Sequence, residues 1–166
     1  AVPCVLDGGA AEVGIESTIV DLSGAAPRLL RPGWITAEQI AAVLGVPLAA
    51  AEAGAPRAPG TLAIHYAPRT PLTLVEDGDL LTELAKSLTQ QGRKVAALAL
   101  SARRPLDPGV IWIVVPREAA HYAHDLYSNL RALDEAGCDA ILVERPPQAP
   151  EWVAINDRLA RAAAAS

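Results

Sequence analysis

At 166 residues the chain has room for one ordinary domain or a domain with an appendage. It is 51% hydrophobic, through Ala, Val, Leu and Ile with no Phe, so its core is aliphatic. The net charge of −5 excludes a broad nucleic-acid footprint but leaves room for small anionic ligands held by one or two arginines. No apolar run approaches the ~18 residues a membrane span needs, and no signal-peptide pattern is present, so a cytoplasmic location is expected. Methionine is absent, and the chain opens on an apolar run, Ala1 to Leu6, of the kind found inside folds. The expectation is the C-terminal piece of something longer.

Val2 to Leu6 reads as a short buried strand ended by the turn signal Asp7-Gly8-Gly9. A second strand is expected around Ile19, with Ser17 and Thr18 at its beginning, and a third over Arg28–Arg31. Residues 17–31 then form a hairpin, broken by Pro32-Gly33. Thr36 is the predicted N-cap of a helix from Ala37 to Leu44, with Glu38 at the positive end of its dipole and Gly45 as its stop. Three strands and a helix in this space are marginal alone and read as the closing edge of a larger α/β structure. Arg31, at a strand end, suits paired hydrogen bonds to a phosphate or carboxylate, and Ser17 and Thr18 suit a hydroxyl and backbone grip on the same groups. The plainer alternatives are an exposed salt bridge for Arg31 and a turn contact for Ser17.

Residues 47–70 read as a connector, poorly ordered to about Pro56. Its end is unusual, because His65, Tyr66 and Arg69 fall together beside Pro68, which stiffens the segment. From residue 71 the pattern becomes regular: a strand at 72–75, a helix from Asp79 with Leu80, Leu81, Leu84 and Leu88, and strands at 95–100 and 110–115. A long helix follows from Pro116 to about Gly137, with Tyr122, Leu126, Leu130 and Leu133 on one side. A strand at 140–143 and a helix from Trp152 to Ala165 complete the chain. This order predicts an α/β fold, a Rossmann-like, mostly parallel sheet with helices on both faces. No Gly-x-Gly-x-x-Gly and no phosphate-binding Gly-Lys-Ser/Thr accompanies it. His121, His124 and Asp125 have metal-compatible spacing, but a solvated helix face explains them better. Cys4 and Cys138 are read as buried thiols on strands. Asn156-Asp157-Arg158-Leu159 is expected to contact a sheet edge or a partner.

Three motifs stand in order: Asp7-Gly8-Gly9 with Gly14-Ile15-Glu16-Ser17-Thr18-Ile19-Val20-Asp21, then Leu30-Arg31-Pro32-Gly33 with Ile35-Thr36, then His65-Tyr66-Ala67-Pro68. Together with Ala154-Ile155-Asn156-Asp157-Arg158-Leu159 they resemble the long form of L-threonylcarbamoyladenylate synthase, a nucleotidyltransferase that joins a YrdC-like catalytic domain to a Rossmann-like C-terminal domain through a His-Tyr-Ala-Pro linker. The resemblance implies the terminal edge of the YrdC-like domain at 1–46, the linker at 47–70 and the C-terminal domain at 71–166. It also implies condensation of L-threonine, bicarbonate and ATP, escorted by Mg²⁺ and with no metal site on the protein, into threonylcarbamoyl-AMP and pyrophosphate. The product would pass to the machinery that modifies the adenosine next to the tRNA anticodon. Carried over by motif, Ser17 would touch threonine, Arg31 the ATP phosphates and Tyr66 the nucleotide, with His65 and Pro68 in the linker lid. No catalytic group is assigned. The family's basic and Ser-rich ATP-binding motifs have no counterpart here, so the chain alone is expected to be inactive. The alternatives are a non-catalytic Rossmann-like ligand-binding or regulatory module and a purely structural domain.

Overall fold

The computed structural model describes residues 3–51, 56, 58–59, 67–101 and 109–164. Two sheets organise them. The first has three short strands in the order β1-β2-β3: β1 (Ile19–Asp21), β2 (Arg28–Arg31) and β3 (Ala49–Ala50). β1 and β2 form the expected antiparallel hairpin, with Ile19 opposite Arg31 and an irregularity between Ile19 and Val20. Helix α1 (Ala37–Leu44) joins β2 to β3. It starts as its sequence dictates: the Thr36 hydroxyl accepts from the Gln39 N–H while the Gln39 side chain accepts from the Thr36 N–H, and Gly45 ends the helix at φ 73°.

The second sheet has four strands, all parallel, in the order β4-β7-β5-β6. These are β4 (Leu72–Val75), β5 (Val95–Ala99), β6 (Val110–Val114) and β7 (Ala140–Glu144). Helix α2 (Gly78–Gln90) packs on one face, and α3 (Ala119–Glu135) and α4 (Val153–Ala163) supply the other. Strand alternation sorts the core between the two faces. Val95, Ala97 and Ala99 pack with Leu81 and Ala85 of α2, while Ala96 and Leu98 pack with Leu126 and Leu133 of α3 and Ile155 of α4. The central strands β5 and β7 are buried along their whole length, as their unbroken apolar runs predict.

Several expectations are corrected. Val5 and Leu6 are 81% and 91% exposed and form no strand, because nothing among the described residues covers them. Cys4 is exposed, and Cys138 is half-buried in the turn before β7 rather than on a strand. The connector contains β3, which pairs parallel to β2 through Arg28 and Leu29; two alanines give no strand signal of their own. Helix α2 begins one residue early, capped by the Asp77 carboxylate on the Leu80 N–H, and Leu80 points outward at 46% exposure. β6 is an edge strand, so Ile111 and Val114 lie open where a two-sided run was expected to be covered. Helix α3 starts at Ala119, and a short 3-10 turn, Pro150–Trp152, precedes α4.

Candidate functional site

Ser17 and Arg31 come together where β1 begins and β2 ends. The Arg31 guanidinium is buried, at 6% exposure. Its Nε and Nη2 donate to the Ser17 carbonyl at 3.2 and 2.9 Å, and its Nη1 donates to the Pro59 carbonyl at 2.8 Å. Arg31 is therefore buried, and among the described residues it has no salt-bridge partner of the kind the plainer alternative supposed; it ties the start of β1 to the connector. The Ser17 side chain is exposed beside it. The Thr18 hydroxyl donates to the Ile35 carbonyl at 2.5 Å. Gly33 makes this meeting of chains possible: a Cβ there would lie 2.1 Å from the Thr18 backbone nitrogen. A cavity of about 130 Å³ adjoins these residues, lined by Thr18, Gly33, Thr36 and Val153 among others.

A second group of polar side chains joins this corner to the large sheet. Glu16 accepts a hydrogen bond from the Tyr127 hydroxyl at 2.9 Å and from Arg158 Nε at 2.7 Å. Arg158 Nη2 donates to the Pro32 carbonyl at 3.1 Å, and its Nη1 to Asp157 at 2.6 Å. Burial alone would lower the Arg158 pKa; the Glu16 hydrogen bond and the charges of Glu16 and Asp157 outweigh it and raise the pKa above the ordinary value. Spacing could have revealed Arg158, since residues 155, 158, 159 and 162 share the buried stripe of α4. Glu16 and Tyr127 carry no such signal. Asn156 donates to the Pro147 carbonyl at 2.9 Å, and α4 packs against β4, an edge strand of the large sheet.

The connector's far end is held by Asp134, whose carboxylate accepts from the Thr70 N–H at 2.8 Å. Pro68 and Ala67 line a cavity of about 310 Å³ with Tyr127, Leu130, Arg131 and Asp134 of α3. His65 and Tyr66 lie outside the described residues. His121 approaches Glu118 at 3.8 Å and His124 pairs with Asp125 at 2.6 Å, both on the open side of α3. Among the described residues no group of three or more His, Cys, Asp or Glu side chains could hold a metal ion, and no helix is long and apolar enough to cross a membrane.

Another cavity, of about 400 Å³, opens at the C-terminal ends of β4, β5 and β7, lined by Glu76, Ser101, Arg117, Glu144, Arg145 and Trp152 among others. Its charges are engaged with neighbouring groups. Glu144 accepts from the Leu100 and Ser101 N–H groups at 2.7 and 2.9 Å and from the Ser101 hydroxyl, and Arg145 pairs with Glu76 at 3.0 Å. The Tyr122 hydroxyl is pushed well above its ordinary pKa, first by burial and then by the charge of Glu144.

This is an α/β domain with a four-strand parallel sheet, joined by a buried polar cluster to a smaller sheet that carries the candidate residues. Residues 35–164 match the family model for the threonylcarbamoyl-AMP synthase C-terminal domain, and the chain belongs to that family. The Bacillus subtilis threonylcarbamoyl-AMP synthase is 34% identical over 96% of this chain and 48% of its own length. The Pyrococcus abyssi synthase is 30% identical over 97% of this chain and 49% of its own length. The chain thus spans about half the length of the curated relatives it matches. The crystal structure of P. abyssi Sua5 complexed with L-threonine superposes with a TM-score of 0.84 at 29% identity, covering 98% of this chain and 49% of that one. A variant of the same protein with a histidine and the following tyrosine both changed to alanine gives a TM-score of 0.77 at 27% identity, covering 95% of this chain and 47% of that one.

Proposed function

We propose that these residues are the C-terminal part of a cytoplasmic threonylcarbamoyl-AMP synthase, a nucleotidyltransferase that supplies the threonylcarbamoyl group for modifying the adenosine beside the tRNA anticodon. Residues 1–46 would be the closing edge of its YrdC-like catalytic domain, 47–70 the linker and 71–166 the Rossmann-like domain. The observation that carries this reading is the hydrogen-bonded meeting of Arg31 with Ser17, reinforced by the connector carbonyl of Pro59. Two residues to which the family pattern gives different substrates thus sit at one point. A threonine-bound relative that superposes over nearly the whole chain adds support. So does α1: none of its residues is buried and Val43 is 86% exposed, as befits a helix completed by upstream chain.

In this reading the threonine amine attacks the bicarbonate carbon and water leaves, giving a carbamate. The carbamate oxygen then attacks the ATP α-phosphorus and pyrophosphate leaves. Ser17 would bind threonine. Arg31, with three N–H groups already committed to carbonyls, would offer the remainder to the phosphates, where charge builds up in the displacement. Tyr66 would reach the nucleotide from the linker, with His65 and Pro68 beside it; the alanine-substituted His-Tyr pair in the P. abyssi variant is consistent with a role for such a pair. Mg²⁺ would arrive with ATP. Among the described residues no group of three or more His, Cys, Asp or Glu side chains is placed to hold it.

The test is pyrophosphate release from ATP by the parent protein containing these residues, with and without L-threonine and bicarbonate. Release dependent on both is expected, and Arg31→Ala should lower turnover about 10²- to 10³-fold. The 166 residues alone should show none. Release that is indifferent to threonine would overturn the reading.

A further inference from the structure

Arg158 is the most enclosed charged side chain among the described residues, at 1% exposure. A buried guanidinium is a poor way to gain stability, since an apolar side chain of similar volume fills the same space without desolvating a charge. Its geometry is more informative. Asp157 pairs with Arg158 at 2.6 Å and with Arg161 at 3.0 and 2.8 Å, all within α4, and so steadies the guanidinium from its own helix. The other two arms leave the helix. Nε reaches Glu16, 142 residues away, and Nη2 reaches the Pro32 carbonyl, 126 residues away.

Glu16 and Pro32 are the covalent neighbours of Ser17 and Arg31, and Arg31 itself grips the Ser17 carbonyl. The contacts therefore close a circuit: Arg158 to Glu16, along the chain to Ser17, across to Arg31, along the chain to Pro32, and back to Arg158. Charge-assisted hydrogen bonds form the contact that Arg158 makes with Glu16, and Tyr127 adds a second hold on the same Glu16 oxygen. Within such a circuit α4 cannot shift without moving residues 16–17 and 31–32 or breaking a bond to a buried charge.

We infer that Arg158 is a positioning residue for the threonine and phosphate contacts, so that the last helix of the C-terminal domain sets the spacing of Ser17 and Arg31. The inference rests on the functional reading above. It gives the C-terminal domain a part in substrate binding that does not depend on the linker.

The experiment uses the parent protein with Arg158→Lys, which keeps the charge but loses the forked reach to both Glu16 and Pro32, with Glu16→Gln, and with the double replacement Arg158→Met/Glu16→Gln. Because a displacement of ~1 Å at a reacting group costs about a hundredfold, Arg158→Lys should lower kcat/KM for L-threonine by about ten- to a hundredfold. The double variant removes both charges, so its melting temperature should recover towards the parent's while its threonine KM stays raised. Full recovery of both, or singles that lose melting temperature alone while the threonine KM and kcat of the folded enzyme keep the parent's values, would show a packing role and overturn the inference. A second readout is independent of activity. In the 166-residue chain, Arg158→Lys should speed amide exchange at residues 17, 18 and 31 relative to residues 95–99 of β5. Unchanged exchange there would also overturn it. A parent protein lacking threonine-dependent release would count against the functional reading alone, leaving exchange to judge Arg158.

Discussion

The two sheets are held by different forces. Every buried hydrophobic side chain among the described residues lies at Leu72 or later, so the parallel sheet carries the aliphatic core. Before Leu72 the buried side chains with polar atoms are Asp21 and Arg31, and Ile15 is the apolar side chain that packs, partly buried, against the large core. The small sheet is registered by hydrogen bonds and charge: Arg31 to Ser17 and Pro59, Arg158 to Glu16 and Pro32, Tyr127 to Glu16. Burial is non-directional and gives stability, whereas hydrogen bonds fix distances. The region proposed to meet substrates is the one whose distances are fixed.

The contrast breaks most visibly in the large core. Leu126 is fully buried against the sheet, so Leu126→Ala should cost about 2–5 kcal/mol in a urea titration and unfold both regions together. Gly33→Ala should cost less, about 1–3 kcal/mol, and selectively, because the new methyl meets the Thr18 backbone nitrogen. Hydrogen exchange should then rise in β1 and β2 and stay unchanged in β5. Asp134 gives a pH-dependent version. Its partial burial would raise its pKa, but hydrogen bonds from the Thr70 and Arg69 backbone outweigh this and leave it below the ordinary 3.8. A depressed carboxyl pKa stabilises the fold above the ordinary value and loses that contribution as pH falls through the lowered one. Exchange at the Thr70 amide should accordingly rise in that acid window, and Asp134→Asn should abolish the dependence. Smallest of all, Val43→Ser on the open face of α1 should change the stability of this chain by no more than about 0.5 kcal/mol. A larger loss in the parent protein would mark that face as covered there.

The large sheet was legible because its signals are local. Unbroken runs such as Val95–Ala99 announce doubly covered strands, and the stripe from Tyr122 through Leu133 announces the inner face of α3. The small sheet was legible only in part. The β1–β2 hairpin has branched residues and a Gly-containing turn, but β3 is two alanines whose pairing to β2 is set by the tertiary fold. Ser17 and Arg31 stood out by motif. Their meeting did not, because the grip of Arg31 falls on backbone carbonyls, which every residue offers alike. Glu16 and Arg158 are separated by most of the chain, and no periodicity links them.

That separation has a consequence for how the molecule is made. A ribosome adds about 5–20 residues per second, so the 142 residues between Glu16 and Arg158 take about 7 to 30 s to synthesise. For that interval the bond between Glu16 and Arg158 cannot form, while β4 to β7 emerge in sequence and Tyr127, 111 residues after Glu16, becomes available to it first. The last of the hydrogen bonds that tie the hairpin to the large sheet can close only when α4 arrives.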